Sequence, residues 1–465
     1  MAVDWSGSSP SFLLGLDRSK RGTVGGQLQA ALRSAIRSGR LSPGERLPST
    51  RSMSAALGVS RGLVQASYEQ LEAEGYLLAR GGSATRVALG TQAVDVDAGA
   101  APPAPAMSID FSPGRPDLHS FPTRDWLWAC GEVARSASAD DAGYADPRGL
   151  VQLREVVASY VRRVRGGVAG ASNVVICSGF TQGLGLTLAV LSQRGVRYVA
   201  VEDPGHLEMA ELVRRAGLQP VFVPVDAEGI VVDALASTEA TAVIVTPAHQ
   251  TPTGVVLAPS RRQSLLKWAQ DRDGMVIEDD YDSEFRYDKK PVGSLQGLAA
   301  DRVVSIGSVS KSLAPAMRLG WVIAPGGLIA DISREKYQAD RGSPGLDQLV
   351  LSRLMASGRY DRHLRRMRSV YAGRRAALVE ALALYAPGTP LTGLAAGFHA
   401  VAGLPPGTDE DAVVAAAAER SVGLQGLARY RSDRYSGPPG IVFGFGDLRE
   451  SSIRSGIAAI ADLLH

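Results

Sequence analysis

The sequence predicts an α/β protein in two parts. A small, mainly helical N-terminal module precedes a large domain built on a mixed, mostly parallel sheet, which ends in a small α+β subdomain. Three observations carry that prediction. Short β-branched runs alternate with helix-length stretches through the middle of the chain, as in a sheet buried on both faces. The stretch "LGTQAVDVDAGAAPPAPAM", Leu89 to Met107, is rich in Ala, Gly and Pro and has no apolar period, so it reads as a linker. Before it, apolar residues recur at helical spacing. The expected divisions are residues 1–88, a linker at 89–107, and residues 108–465.

The totals agree with this. A chain of 465 residues with 45% hydrophobic side chains can bury real cores. No run approaches about 18 consecutive apolar residues, so no membrane span is expected. The start "MAVDWSGSSPSFLLGLDRSKRG" lacks the basic and long apolar regions of a secretory leader. Cys130 and Cys177 are too few for a disulfide framework or a metal site and are expected as small buried hydrophobes. The expected setting is a reducing cytoplasm. Residues 1–90 hold eleven Arg and Lys against six Asp and Glu, a net of +5 within a chain of net +3. A basic module on a near-neutral body points to nucleic acid.

In the first module Leu28, Leu32 and Ile36 recur every four residues and give one apolar helical face. "SGRLSPGERLP" breaks that helix. Ser49 or Thr50 can cap a second helix, Arg51 to Leu57, which Gly58 ends in the left-handed conformation. Ser60 caps a third, in which Val64, Tyr68 and Leu71 must face the core while Arg61 and Gln65 share another face. "YLLARGGSATRV" then reads as two short strands about a Gly–Gly turn. Helix, tight turn, helix and β-ribbon make a winged helix-turn-helix, whose third helix can place Arg and Gln against base edges in the major groove.

In the large part the strand candidates are "NVVICSG", "RYVAVEDPG", "QPVFVPVD", "TAVIVTPA", "GMVIEDDYD" and "RVVSIGS", with "GFHAVAGL" and "PGIVFGFG" in the tail. The last central run leads into "SIGSVSKSLAPAMRLGW", Ser305 to Trp321, which holds Lys311, one of only six lysines. A lysine behind Val303, Val304, Ile306 and Val309 is costly as a buried ammonium, and a covalent C=N bond relieves that cost. Its companions supply the rest of a site. "ICSGFTQGLGLTLAVL" is strand, turn and helix, whose first N–H groups suit a phosphate near Gly179, Phe180 and Thr181. Ser308, Ser310 and Arg318 add hydroxyl donors and a bidentate cation. "MVIEDDYDSEF" offers Asp279 for a pyridine nitrogen and Tyr281 for a phenolic oxygen. A lysine, an acid and a phosphate cradle are the requirements of pyridoxal 5′-phosphate.

Two families share these motifs. "GRLSPGERLPSTRSMSAALGVSRGLVQASYEQLEAEGYL" resembles the GntR-type winged helix, which implies that Arg51, Ser60, Arg61 and Gln65 contact double-stranded DNA; Ala84 stands where that wing usually carries Gly. From about Ile109 onward the chain resembles the pyridoxal phosphate-dependent fold-type I aminotransferases. "YADPRGLVQLR" is similar to their "YGDPxG" segment and implies that Tyr144 reaches the phosphate of a partner subunit. "EDPGHLEMA" places His206 where an aromatic ring normally stacks on the cofactor, and "TPAHQTPTGVVL" resembles the Pro-Thr-Gly turn beside it. Taken whole, the chain resembles the MocR/GabR family of transcription regulators, its PdxR-like members included. That resemblance implies a homodimer, an operator and a small-molecule effector. "GRYDRHLRRMRSVYAGRR", Gly358 to Arg375, also looks like that family and is expected to present its charges first as a solvated helix face, with an interface or DNA-backbone role second.

Two departures bear on function. Thr251 precedes Pro252 where aminotransferases have an Asn that touches the cofactor, although His249 and Gln250 match the regulators. In "GIVFGFGDL" the carboxylate-gripping Arg of amino-acid-binding members is replaced by Val442, for which Arg429, Arg431 or Arg434 could substitute. Losing that guanidinium removes roughly 1.5–3 kcal/mol of anchoring. The expected function is a pyridoxal phosphate-binding regulator whose effector is pyridoxal phosphate itself, with control of vitamin B6 synthesis, or else an amine or amino acid. The alternative is a working aminotransferase with an appended DNA-binding domain.

Overall fold

The computed structural model describes residues 24–79, 84–89, 107–287, 293–433 and 436–465. The chain divides into two compact units, Met1–Ala104 and Pro105–His465. Most of the expected linker and the Gly–Gly turn of the ribbon lie outside the described residues. Among those described, no helix is long and apolar enough to cross a membrane.

The first unit carries α1 (Val24–Arg37), α2 (Thr50–Leu57) and α3 (Arg61–Ala73), then the antiparallel β1 (Leu77–Leu78) and β2 (Arg86–Val87), with Leu77 opposite Val87. Leu28, Leu32 and Ile36 of α1 meet Met53 of α2 and Val64, Tyr68 and Leu71 of α3 in one core, none more than 5% exposed. The Ser49 hydroxyl accepts from the N–H of Ser52 at 3.1 Å, so α2 begins at Thr50. Gly58 closes it at φ 64°, a left-handed position that suits glycine. Ser60 caps α3 in the same way, accepting from Leu63 N–H at 3.2 Å. The helix-breaking "PGERL" does more than break: Val87 N–H donates to Glu45 and Leu47 N–H to Thr85, each at 2.9 Å, so this segment forms the ribbon's third rung.

The second unit opens with β3 (Ile109–Asp110), α4 (Thr123–Ser136) and α5 (Val151–Arg165). It continues through β4 (Val174–Cys177), α6 (Phe180–Gln193), β5 (Tyr198–Asp203), α7 (Leu207–Arg215), β6 (Gln219–Asp226), β7 (Gly229–Ile230) and α8 (Val232–Ala236). Then come β8 (Ala242–Val245), α9 (Pro259–Asp271), β9 (Met275–Asp280), β10 (Val303–Ser308) and β11 (Gly320–Ile323). After α10 (Gly326–Asp340) and α11 (Gly345–Ala356), the long α12 (Arg359–Tyr385) leads to the tail. The tail holds β12 (Leu391–Thr392), β13 (His399–Gly403), α13 (Glu410–Glu419), β14 (Val422–Gly423), β15 (Gln425–Gly426), β16 (Gly440–Gly444) and α14 (Glu450–Ile460).

The main sheet has the order β4-β11-β10-β9-β8-β5-β6-β7. β10, β9, β8, β5 and β6 run parallel; β11 is antiparallel to both β10 and β4, and β7 is antiparallel to β6. Its near-continuous apolar strands follow from helices on both faces. Val175, Ile306 and Val322 pack with Leu184, Leu188 and Ile332 on one side, while Val243, Val276 and Val303 pack with Leu265 and Trp268 on the other. All six expected central strands are present. β11 was not anticipated, because its four residues follow the lysine segment without an alternating pattern of their own. The tail forms a four-stranded antiparallel sheet, β12-β13-β16-β15, in which Val401 of β13 faces Val442 of β16. Cys177 is buried as expected; Cys130 is only half-buried, and both are free thiols.

Candidate functional site

The parallel strands end together at their carboxyl edge, where an open α/β sheet usually takes its ligand. A cavity of about 310 Å³ lies there, and nine of the eleven residues expected at the cofactor line it: Phe180, Thr181, His206, Asp279, Tyr281, Ser308, Ser310, Lys311 and Arg318. Gly179 sits directly behind them as the residue before α6. Tyr144 does not join them; it is 93% exposed on the surface of the chain.

Lys311 owes its place to β10. Val303, Val304 and Ile306 are fully buried in the sheet, and Val309, also fully buried, anchors the turn that follows. That turn closes with Leu313 N–H donating to Val309 at 2.8 Å. Behind it, Tyr360 donates its hydroxyl proton to the Ser312 side chain at 2.8 Å, and His363 Nε2 donates to the Ser312 carbonyl at 2.9 Å. The lysine amine reaches the Gly114 carbonyl at 2.5 Å. Burial lowers its pKa, against the pull of Asp279 and Asp282.

"EDDYD" is not a solvated strand end. Strand alternation sends Glu278 and Asp280 to one face, where Glu278 accepts from Leu295 N–H at 2.9 Å and Asp280 pairs with Arg165 at 2.7 and 2.9 Å. Asp279 goes to the other face, in register with Ile306. It is buried, and burial, then Asp280 and Asp282, push its pKa well above the usual carboxylate range. The Tyr281 hydroxyl donates to the His249 carbonyl at 2.9 Å, and burial raises its pKa well above that of an ordinary phenol.

The anion cradle rests on a glycine. Gly179 has φ 87°, and a Cβ there would come within 3.2 Å of the Arg318 guanidinium. Arg318 is itself left-handed at φ 47° and donates to the Ser178 carbonyl. The first N–H groups of α6 have no helical acceptor and point out of the helix start. His206 precedes α7 and turns a half-exposed ring to the same space.

Further residues line the cavity, among them Phe398, His399 and Tyr430, which were not expected. Thr251, Pro252, Phe398, His399, Tyr430 and Val442 complete the wall. Thr251, read as a departure, lines the cavity together with Tyr281. Val442 is fully buried, so the cavity wall is apolar where a carboxylate grip was sought. Arg431 does not substitute for it, because its guanidinium donates to Pro438 at 2.8 Å, and Arg429 faces a separate groove with Glu410 and Asp411. Arg434 lies outside the described residues.

In the first unit Arg51, Ser60, Arg61 and Gln65 are all exposed on α2 and α3. Arg61 Nε donates to Thr50 Oγ1 at 3.3 Å and Gln65 to Glu69 at 2.8 Å. Ala84 is half-buried just before β2. The arginine-rich start of α12 presents a solvated face, as expected, with Arg362, Arg365, Arg366 and Arg368 exposed. Tyr360, His363, Leu364, Met367 and Tyr371 are buried, and several arginines hold fixed acceptors: Arg366 the Ser120 carbonyl at 2.6 Å, Arg368 that of Glu284 at 2.8 Å, Arg374 the Asp117 carboxylate at 2.6 Å. The guanidinium groups at those three positions also tie the helix to the body.

Comparison with known proteins agrees with this two-part architecture. Residues 25–87 match the family of bacterial regulatory proteins, gntR family, and residues 108–427 match aminotransferase class I and II. The chain is 32% identical to the HTH-type pyridoxine biosynthesis transcriptional regulator PdxR of Corynebacterium glutamicum, over 94% of this chain and 95% of that protein. It is 30% identical to the probable rhizopine catabolism regulatory protein MocR of Rhizobium meliloti, over 96% and 95%. Among solved structures, the kynurenine aminotransferase of Pyrococcus horikoshii superposes with a TM-score of 0.71 at 26% identity, covering 78% of this chain and 91% of that one. The chain therefore belongs to the MocR-type family of HTH transcriptional regulators, in which a gntR DNA-binding domain precedes an aminotransferase class I and II domain.

Proposed function

We propose that residues 108–465 bind pyridoxal 5′-phosphate at Lys311, and that loading of this site controls how residues 1–88, joined through 89–107, bind an operator. The observation that carries this reading is the meeting of a desolvated lysine, a buried carboxyl, a tyrosine and a helix-start anion cradle in one cavity. When bound, the cofactor supplies an aldehyde for a C=N bond with an amine and an electron-withdrawing ring. Lys311 is the amine. Asp279 faces the ring nitrogen and, once a cationic partner is present, holds its charge. Tyr281 donates to the phenolic oxygen, with Thr251 beside it. The N–H groups after Gly179, at Phe180 and Thr181, act with the hydroxyls of Ser308 and Ser310 and the guanidinium of Arg318 to bind the phosphate. His206 covers the ring.

The regulator works as a homodimer in the cytoplasm, with Tyr144 completing the phosphate site of the partner subunit; its near-complete exposure on one chain supports that role. The paired α3 helices enter successive major grooves of the operator, with Arg61 and Gln65 at base edges and Arg51 and Ser60 beside them. The effector is pyridoxal phosphate itself rather than an α-amino acid, because the apolar Val442 lines the cavity where amino-acid-binding members carry an Arg, and among the described residues neither Arg429 nor Arg431 replaces it. The name of the Corynebacterium relative, a pyridoxine biosynthesis regulator, supports control of vitamin B6 synthesis.

The test is a visible spectrum of the purified full chain with and without added pyridoxal phosphate, followed by operator titration in each state. A visible band with a changed operator affinity is expected. A protein that stays colourless rejects the cofactor half of the reading. Rapid release of an oxo acid on adding amino acids makes the chain a working aminotransferase instead.

A further inference from the structure

Behind Tyr281 stands a buried pair that the reading above leaves without a role. His249 and Asp282 are each 1% exposed. His249 Nδ1 lies 2.7 Å from Asp282 Oδ2 and 3.1 Å from the Tyr281 hydroxyl, and Nε2 lies 3.2 Å from the Gly393 carbonyl. A carboxylate can only accept, so the Nδ1 proton of His249 is given to Asp282, with the Tyr281 oxygen at the edge of that contact. The Tyr281 oxygen is then on the receiving side of Nδ1–H, and its single proton must be given elsewhere. In this structure it goes to the backbone oxygen of His249 at 2.9 Å.

The surroundings keep the pair in place. A Cβ on Gly397, whose φ is 68°, would stand 2.2 Å from Asp282 Oδ2 and 2.6 Å from His249 Nδ1. The His399 ring packs against His249 at 4.6 Å between centroids and also lines the cavity. His249, Asp282 and His399 bring donor atoms within 4.8 Å of one another, but the 2.7 Å contact is a hydrogen bond. Donors around one tetrahedral ion, at about 2.0–2.1 Å from it, would stand farther apart.

We propose that His249, held by Asp282, is a positioning residue for Tyr281: it fixes the tyrosine as a donor toward the phenolic oxygen of bound pyridoxal phosphate and so lowers the pH at which the lysine–cofactor link loses its proton. The proposal rests on the cofactor reading above. A proton given to that oxygen, backed by a donating ring, stabilises the negative charge left there when the link deprotonates. The other charged or titratable groups facing this corner are Asp279 beside the ring position, Lys311 after β10, His399 on β13, Glu202 at the end of β5, and Arg286, whose guanidinium donates to Ala248 at 3.2 Å.

The experiment is a pH titration of the visible spectrum of full-length protein loaded with pyridoxal phosphate. The variants are His249→Gln, Asp282→Asn, Tyr281→Phe and the double variant Tyr281→Phe with Asp282→Asn. The midpoint is expected to rise by roughly one unit in each single variant, with no further rise in the double variant. Midpoints unchanged in His249→Gln and Asp282→Asn overturn the proposal, and so does a shift in the double variant equal to the sum of its parts. If His249→Gln does not fold, His249→Asn takes its place, because Asp282 also acts on Lys311 through space and Asp282→Asn alone does not isolate the role of His249. A wild-type protein that never colours removes the cofactor reading itself, whereas a coloured protein with an unmoved midpoint removes only the role of His249.

Discussion

The amine of Lys311 is held by the carbonyl oxygen of Gly114, 197 positions earlier in the chain, across 2.5 Å. Among the described residues no carboxylate is bonded to it. Asp279 and Asp282 act on it through space, and burial outweighs them, so its pKa lies below the ordinary lysine value of 10.5. A base whose pKa falls on folding costs stability while it is charged in both states. That cost is fully present below the folded value and vanishes as pH rises toward 10.5. Lys311→Met should therefore raise the melting temperature of the cofactor-free protein at neutral pH, and the gain should shrink as pH approaches 10.5. The same variant should develop no visible band with pyridoxal phosphate and take up no label with borohydride, yet keep salt-sensitive, non-specific DNA binding. Melting curves at several pH values, spectra and a salt series check the three parts.

Arg318 and Gly179 should behave as one unit. The guanidinium crosses the turn where the glycine has no side chain, so a Cβ there both occupies its space and strains a φ of 87°. Arg318→Ala removes a charge-assisted anchor worth about 1.5–3 kcal/mol, which should weaken pyridoxal phosphate binding by roughly 10- to 150-fold. Gly179→Ala should weaken it in the same direction although it removes no charge. Equilibrium titration of the visible band measures both; a Gly179→Ala protein with wild-type affinity would show that the cradle tolerates displacement of the guanidinium.

The part of this site carried by consecutive residues was legible in the sequence. Asp279 and Tyr281 end one strand, Ser308, Ser310 and Lys311 end the next, and Gly179 to Thr181 join a third to its helix, so strand alternation and helix starts place them. What was hidden depends on distant partners. His249, Asp282 and His399 come from three segments that only the return of β13 brings together, and "GFHAVAGL" read alone gives its histidine no special place. β11 was hidden because "GWVI" is too short to show a period. The α12 arginines were legible as a solvated face, but not the distant acceptors, Ser120, Glu284 and Asp117, that also hold three of them.

Glu202 gives the fold a pH dependence of its own. It is buried at the end of β5, where its Oε2 accepts from the Thr246 hydroxyl at 2.6 Å and the Thr246 N–H at 3.2 Å. Desolvation outweighs these bonds and raises its pKa from 4.5 to about 7. An acid whose pKa rises on folding leaves stability untouched below the unfolded value, then lowers it as pH climbs through the folded one. Glu202→Gln, which keeps an acceptor oxygen for Thr246, should melt like the wild type near pH 4.5 and at higher temperature above pH 7. A stability difference that does not grow between those limits would mean that the carboxyl ionises freely in the folded protein.

Arg61 tests the other unit. It opens α3 and leans on Thr50 of α2 at 3.3 Å, a contact weak enough to exchange for a base edge. A bidentate pair with guanine is worth about 1–3 kcal/mol of discrimination, so Arg61→Ala should weaken operator binding by roughly 5- to 150-fold and relax the preference at one base position. Because a phosphate contact would instead lower affinity for all sequences alike and flatten the salt slope by about one, measuring a specific and a random duplex across a salt series separates the two roles. The fold of α3 should survive, since Val64, Tyr68 and Leu71 hold it from the opposite face and Ser60 keeps its cap. An unchanged footprint, with equal losses on both duplexes, would place Arg61 on the DNA backbone rather than in the groove.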